Sequence, residues 1–281
     1  MSSILVLEGG AMRGIYTCGV IDCLLENNIY FDAVVGVSAG ALFGCNYKSK
    51  QIGRVMKYTR EYINHKDYLT FRSFFRTGNI MNKELFFDEI LKNTAPFDFD
   101  TYKKNKTKFY CVVTNLDTGK AEYILLDDLS IKEQEDYIRA SGSIPLVSKI
   151  ININGNSYLD GGVSDSIPVK WARKNYNRVV VVTTRDIKYR KKKSNSILYK
   201  LFYSKYPKFI NTYSNRYKDY NNTLDYIDRL SNDCTIFTIR PKNKIKVKRL
   251  EKDINKLNDL YELGYNDTIN SLDELKKYLN N

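Results

Sequence analysis

Histidine is almost absent from this 281-residue chain, with His65 as its single imidazole. A Ser-His-Asp triad of the α/β-hydrolase type runs serine, acid, histidine along the chain. His65 precedes every plausible acid partner, so such a triad is not expected, and a surface position is. Long apolar runs are missing too. The longest uncharged run near the N-terminus, Ala33 to Tyr47, is short and interrupted by glycine and serine, so no transmembrane helix is expected. The opening Met-Ser-Ser enters Ile4-Leu5-Val6-Leu7 without a basic segment and apolar stretch of signal-peptide type. The five cysteines (Cys18, Cys23, Cys45, Cys111, Cys234) are odd in number and lack paired metal spacing. Reduced, mostly buried thiols in a cytoplasmic protein are expected, with neither a metal nor a disulfide framework. Internal repeats and long Gly/Ser/Pro linkers are also absent.

What is present suffices for a core. Hydrophobic residues make up 43% of the chain, charged residues 27% and aromatics 13%, which excludes disorder. The length fits one large α/β domain or two small ones. The formal charge of +13 is unevenly placed. Between Arg185 and Arg249 lie 18 Lys/Arg and 5 Asp/Glu, while the remainder holds 27 of each sign. The surplus falls in two dense clusters, Lys188–Lys193 and Lys242–Arg249. An anionic membrane surface or nucleic acid could be attracted there, or the cations could simply be solvated. No zinc-finger, RRM or KH signature accompanies them, so nucleic acid is the weaker partner.

Short apolar strands alternate with helices in the first third. Ile4–Leu7 and Ala33–Val37 read as buried strands, each followed by a helix, from about Arg13 to Glu26 and from Ala39. That pattern argues for a parallel sheet covered on both faces. Residues 50–93 look helical and polar. Lys108–Thr114, Glu122–Leu126 and Arg178–Thr183 read as strands, Ile131–Arg139 and Ile167–Lys174 as helices. Asn154-Gly155 marks a hairpin between Ile150–Ile153 and Ser157–Leu159. A helical stretch from Ser196 to about Leu230, a strand at Thr235–Ile239 and a helical tail from Leu250 follow. The expected division is a core over 1–184 and a basic helical extension over 185–281, packed on the same domain.

Three motifs carry chemistry. Gly36-Val37-Ser38-Ala39-Gly40 is a G-x-S-x-G between strand and helix, a placement that pushes the serine out of a tight turn. The helix start behind it offers positive dipole and free N–H groups to an oxyanion. Gly9-Gly10-Ala11-Met12-Arg13-Gly14 follows the first strand and opens a helix. Parallel neighbouring strands end on one side, so this loop should lie beside Ser38, where its amides form an anion-binding nest. A dinucleotide site fits less well, because it asks for an acid at the end of the second strand, where Ser38 stands. Asp160-Gly161-Gly162 follows a strand end; alone it would read as an ordinary turn. With imidazole out of play, the best base for Ser38 is the Asp160 carboxylate, activated by burial without a cationic partner.

These three motifs, in this order, with Arg139-Ala-Ser-Gly-Ser-Ile-Pro145 ahead of the third, resemble the patatin-like phospholipases over roughly residues 4–183, and most of all their bacterial cytoplasmic members. The resemblance implies a three-layer α/β/α sandwich with a mainly parallel sheet. It implies Ser38 as nucleophile and Asp160 as base of a Ser-Asp dyad, and the backbone of Gly9, Gly10 and Ala11 as oxyanion hole. Gly36, Gly40, Gly161 and Gly162 are motif glycines, and Arg13 and Gly14 support the loop. Arg13 could equally meet a phosphate head group or form a structural ion pair. The implied activity is hydrolysis of lipid acyl esters through an acyl-serine, without cofactor. Ala11 departs from the glycine many members carry and is strained if the site needs a positive φ there. A catalytically silent lipid-binding or regulatory protein of the same fold, and an acyltransferase using the same site, are the alternatives.

One stretch lies outside the resemblance. Tyr199, Phe202, Tyr203, Tyr206, Ile210, Tyr213, Tyr217 and Tyr220 recur at helical spacing among Lys200, Lys205, Lys208, Arg216 and Lys218, with a kink expected near Pro207. Packing on the sheet and docking on an anionic membrane through residues 185–249 both stay open. The second implies a cytoplasmic protein held peripherally at the inner membrane face.

Overall fold

Ile4 to Leu7 alternate between two cores. Leu5 and Leu7 join one apolar cluster, Ile4 and Val6 the other, and all four are fully buried. A strand that is apolar at every position must be covered on both faces, and this dictates a layered molecule. The computed structural model describes residues 2–80, 82 and 84–280. Its elements, in chain order, are β1 (Ser3–Leu7), α1 (Ile15–Glu26), β2 (Ala33–Val37), α2 (Ala39–Lys48), α3 (Arg54–Tyr62), α4 (Phe71–Thr77), a widened helical segment over Glu84–Thr94, α5 (Phe99–Lys104), β3 (Lys108–Asn115) and β4 (Ala121–Leu125). Then come α6 (Lys132–Ser141), β5 (Ile151–Ile153), β6 (Asn156–Asp160), α7 (Val169–Asn175), β7 (Arg178–Val182), α8 (Ile197–Phe202), α9 (Pro207–Asn232), β8 (Phe237–Ile239), α10 (Ile254–Asn270) and α11 (Leu272–Asn280).

Among the described residues, eight strands form one mixed sheet in the order β5-β6-β3-β2-β1-β7-β8, with β4 also on β3. The run from β3 to β8 is parallel; β4, β5 and β6 add antiparallel pairs at one end. Residues of α1, α2, α6 and α10 cover one face, and residues of α7 and α9 the other. This is the expected three-layer α/β/α arrangement with a helical C-terminal region.

Besides α9 on the sheet face, β8 and α10 join the C-terminal region to this body. β8 pairs with β7 at the sheet edge. α10 lies on α1, where Tyr16, Tyr261 and Tyr265 hydrogen-bond Asp267, Asp22 and Glu26 across the two helices. The approach is close enough that a Cβ on Gly264 would sit 2.1 Å from the Tyr16 carbonyl oxygen.

Some expected elements differ. Residues 50–93 are not one helical stretch: α3 ends at Tyr62, and His65 stands in the turn behind it, where its Nδ1 accepts the Asp67 amide at 3.2 Å. Positions 81 and 83 of that stretch, and Asn281 of the tail, lie outside the described residues. The 196–230 helix is broken over 203–206, and Pro207 opens α9 at its first turn, where a missing N–H costs nothing. Its aromatic stripe splits. Tyr203 and Tyr220 are buried and Tyr199, Tyr206, Ile210, Tyr213 and Tyr217 are half-buried, but Phe202 is exposed with Ile197, Leu198 and Leu201.

Candidate active site

β1 and β2 are parallel neighbours in the register Leu7 to Gly36, so the loops after them leave the same sheet edge. One loop carries Gly9-Gly10-Ala11, the other Ser38. The turn at Ser38 is tight because α2 starts at the next residue. Ser38 adopts φ 55°, ψ −122°, a sparsely populated conformation that costs on the order of 1–3 kcal/mol. Close packing holds it. A Cβ on Gly36 would meet the Gly40 carbonyl oxygen at 2.4 Å, and one on Gly40 would meet the Leu7 oxygen at 2.4 Å.

Ser141, at the end of α6, completes the turn. Its Oγ accepts the Ser38 N–H at 3.0 Å and donates to the Val112 carbonyl at 2.7 Å. Ser141 lies inside the Arg139–Pro145 stretch, and nothing in the sequence singles it out. A hydroxyl fully buried next to a strand end becomes visible only in three dimensions.

Asp160 ends β6, whose antiparallel pairing with β3 sets Asp160 opposite Val113. Its amide donates to the Ser143 carbonyl and its own carbonyl accepts the Thr114 hydroxyl. The carboxylate is therefore fixed at both ends of its backbone. Oδ1 accepts the Gly162 N–H at 2.7 Å, and Oδ2 accepts the Ser38 hydroxyl at 2.6 Å. The two side chains, 122 positions apart, are both buried. Burial pushes the Asp160 carboxyl above its ordinary range, opposed by the Ser38 hydroxyl bond, the Arg216 charge and the Gly162 amide. A cationic neighbour is thus present, contrary to the expectation from sequence, yet desolvation outweighs it.

The glycine loop lines the same cavity as this pair. Ala11 does take a positive φ, 50°, so the strain foreseen for a non-glycine residue is there. Gly9 N–H reaches the Ser166 carbonyl at a long 3.5 Å, whereas Gly10 and Ala11 N–H have no hydrogen-bond partner among the described residues. Gly14 faces Ala39 and Phe43, where loop and α2 touch, and Gly161 packs on the Val112 carbonyl. Arg13 is buried at the cavity wall, its Nε without a partner. His65 lines neither this cavity nor the apolar one beside it.

Two cavities meet at Ala11, Ser38 and Ile144. The polar one, about 630 Å³, contains Ser38, Asp160 and a wall of cations. The apolar one, about 890 Å³, runs between Met12, Leu42, Phe43, Leu69, Phe86 and Phe87. A carbonyl carbon at Ser38 would thus have an oily channel on one side and a charged chamber on the other. Such a pair of chambers suits a molecule with an apolar chain joined to a polar part.

Comparison with known proteins bears on family and fold. A family model described as patatin-like phospholipase matches residues 5–173, and a second, a domain of unknown function (DUF6363), matches residues 206–280. The uncharacterized protein YjjU of Escherichia coli (strain K12) is 28% identical over 268 residues, covering 92% of this chain and 74% of that protein. Lysophospholipase NTE1 of Saccharomyces cerevisiae is 30% identical over 174 residues, which are 59% of this chain but only 10% of that much longer protein. The probable lipid hydrolase 463L of Invertebrate iridescent virus 6 is 26% identical over 200 residues, 64% of this chain and 69% of that protein. The crystal structure of VipD from Legionella pneumophila superposes with a TM-score of 0.51 at 13% identity, covering 97% of this chain and 67% of that one, a likeness of fold. With its family model matched across more than half of its length, this chain belongs to the patatin-like phospholipase family.

Proposed function

We propose that this chain is a serine esterase that hydrolyses acyl esters of lipids through a Ser38–Asp160 dyad. Asp160 takes the Ser38 proton as Oγ attacks the ester carbonyl carbon. The Gly10 and Ala11 amides receive the tetrahedral oxyanion, with Gly9 shaping the loop; one such donor is typically worth about 2.7–4 kcal/mol. Collapse expels the alcohol, which leaves with the proton from Asp160, and an acyl-serine remains. Asp160 then deprotonates a water that attacks the acyl carbon, the fatty acid departs, and Ser38 regains its proton.

The observation that carries this reading is the 2.6 Å bond from Ser38 Oγ to Asp160 Oδ2 inside a cavity with unpartnered loop amides. A raised carboxyl pKa supports it, since a base works best when its affinity for protons approaches that of its surroundings. The test is turnover of a short-chain chromogenic ester. Ser38→Ala and Asp160→Asn should each abolish it while His65→Ala leaves it intact. Loss with His65→Ala, or survival with Ser38→Ala, would overturn the dyad.

Lipid substrates require a surface to work on. No helix among the described residues is long and apolar enough to cross a membrane. A peripheral position at the inner face of a cytoplasmic membrane fits instead. α8 presents Ile197, Leu198, Leu201 and Phe202 to solvent between Lys193 and Lys205, and α4 presents Phe71 and Phe75. Both border the loop that enters the site: Tyr203 OH accepts the Leu146 amide, and Ile80 N–H bonds the Val147 carbonyl. An apolar rim ringed by lysines suits an anionic leaflet, where each cation contributes about 1 kcal/mol. Leu201→Ser with Phe202→Ser should reduce sedimentation with phosphatidylglycerol vesicles about tenfold; undiminished binding would remove α8 from the contact.

A further inference from the structure

The dyad and the loop amides do not account for the cations. Arg13, Arg185, Lys191, Arg216 and Arg249 line the polar cavity, against two carboxylates, Glu8 and Asp160. The charges of these two reach Arg13, Lys191 and Arg216 but leave a positive surplus, and their oxygens are hydrogen-bonded elsewhere. Asp160 holds Ser38 and the Gly162 amide, and Glu8 accepts from the Tyr220 hydroxyl and from the Thr184 amide and hydroxyl. None of the five cations forms an ion pair with a described carboxylate. Arg13 is only 7% exposed, and the Nε atoms of Arg13 and Arg216 are buried without an acceptor. Among the described residues Arg216 makes one side-chain hydrogen bond, a long one, 3.4 Å to Ser166 Oγ. Arg13 is buried and Arg185, Lys191 and Arg216 are half-buried, while Arg249 is exposed; a cation withdrawn from water without a partner is costly, and a bound anion offsets that cost.

Backbone bonds and ring contacts tie the chain at Arg249, Lys191 and Arg185 to the surroundings of the site. Arg249 is tied to the glycine loop, its carbonyl accepting the Met12 amide at 3.2 Å. Lys191 exchanges two hydrogen bonds between its backbone and the Asn221 side chain, and its ammonium lies 3.9 Å from the Tyr220 ring centre. The Arg185 guanidinium lies 4.3 Å from that of Tyr189. Four of the five follow residue 173, outside the matched patatin-like stretch, and Arg216 and Arg249 fall in the region matched only by a domain of unknown function.

We propose that this cavity is a phosphate pocket: the site takes acyl esters whose alcohol part ends in a phosphate monoester, and residues 185–249 supply the selectivity. The proposal rests on the esterase reading of Ser38. The acyl chain occupies the apolar cavity, the ester carbonyl lies at Ser38, and the phosphate meets the guanidinium groups, whose planar forks match its oxygens. A monoester carries about −1.5 to −2 at neutral pH, which suits a wall with a surplus of positive charge. A choline or ethanolamine head would bring its own cation against that wall. Lys191 points the same way: burial, with Arg216 and Arg249 close by, pushes its ammonium down, and a bound dianion reverses that pressure.

The experiment compares kcat/KM for two monomeric octanoyl esters, 1-octanoyl-glycerol 3-phosphate and 1-octanoyl-glycerol, on the full chain. A preference of at least tenfold for the phosphate ester is expected, falling about tenfold in Arg249→Gln and in Lys191→Gln and partly restored in Arg249→Lys. Melting temperatures identify any variant that has simply lost its fold. A wild-type ratio near one, with Ser38 still labelled by a fluorophosphonate, overturns the phosphate pocket and leaves the esterase standing. In parallel, inorganic phosphate and sn-glycerol 3-phosphate are titrated into Ser38→Ala protein by calorimetry. Tighter binding of glycerol 3-phosphate, weakened in Arg249→Gln, supports the proposal. Equal binding of both, without ester preference, overturns it in favour of a free-phosphate site, and binding of neither overturns it outright. Binding of glycerol 3-phosphate without any ester turnover or Ser38 labelling overturns the esterase reading and supports the pocket.

Discussion

Asp160 is held in an environment that penalises its charge, and two predictions follow from the sign of that effect. Its folded pKa lies above the unfolded value, so the favourable contribution of its protonated form is complete below the unfolded pKa. That contribution is lost as pH rises through the folded pKa. Above the unfolded pKa the carboxyl therefore weighs against the fold. Asp160→Asn should abolish turnover yet raise the melting temperature at pH 7, with the gain shrinking on acidification; a clear drop at pH 7 would contradict the assignment. The acid limb of kcat/KM should lie above the ordinary carboxylate value of 3.8, because activity needs the ionised base. Arg216 opposes that shift, so Arg216→Gln should move the limb further up in a pH–rate profile. Ser38 and Asp160 were legible from motif and chain order because each sits beside glycines at a strand end. Ser141 was not, since a serine that receives one amide looks like any other serine in sequence.

α1 and α10 meet through two glycines. A Cβ on Gly19 would lie 2.1 Å from the Tyr261 carbonyl oxygen, and one on Gly264 would lie 2.1 Å from that of Tyr16. Backbone cannot yield as a flexible side chain can, so Gly264→Ala should cost about 1–3 kcal/mol, as overpacking generally does. Thermal unfolding checks this, and an unchanged melting temperature would mean that α10 does not bear on α1 so closely. The strands were readable because apolar runs of four or five residues next to glycine have few other outcomes. The stretch 50–93 reads as helical, and helices do fill most of it, but their boundaries were not legible. Their polar faces give a continuous helical pattern, while Gly53 and Gly78, which cap α3 and α4 in the left-handed region, interrupt it only locally. At α8 and α9 the aromatic period was right but continuity was wrong, because Pro207 starts a helix instead of bending one.

Across the whole molecule, sequence located the excess charge but could not say where it converges. Of the Lys188–Lys193 cluster, half-buried Lys191 lines the polar cavity while Lys192 and Lys193 are exposed; of the Lys242–Arg249 cluster, Arg249 borders that cavity while itself exposed. One basic region thus serves two places, the site and the outer surface, which respond differently to salt. Exposed charges are screened within about 8 Å at physiological ionic strength. Vesicle binding should therefore weaken steeply between 0.05 and 0.5 M salt (about 14 to 4 Å of screening length by the same scaling), whereas hydrolysis of a monomeric neutral ester should change little. Equal salt dependence of the two would argue against the division. All of this depends on Ser38 being acylated with the help of Asp160. Intact-protein mass spectrometry after rapid quenching with a slowly deacylating ester reads that step directly. One acyl adduct, mapped to Ser38, is predicted in wild type and in His65→Ala, with none in Ser38→Ala or Asp160→Asn. An adduct on another residue, or one that forms as fast in Asp160→Asn as in wild type, would contradict it.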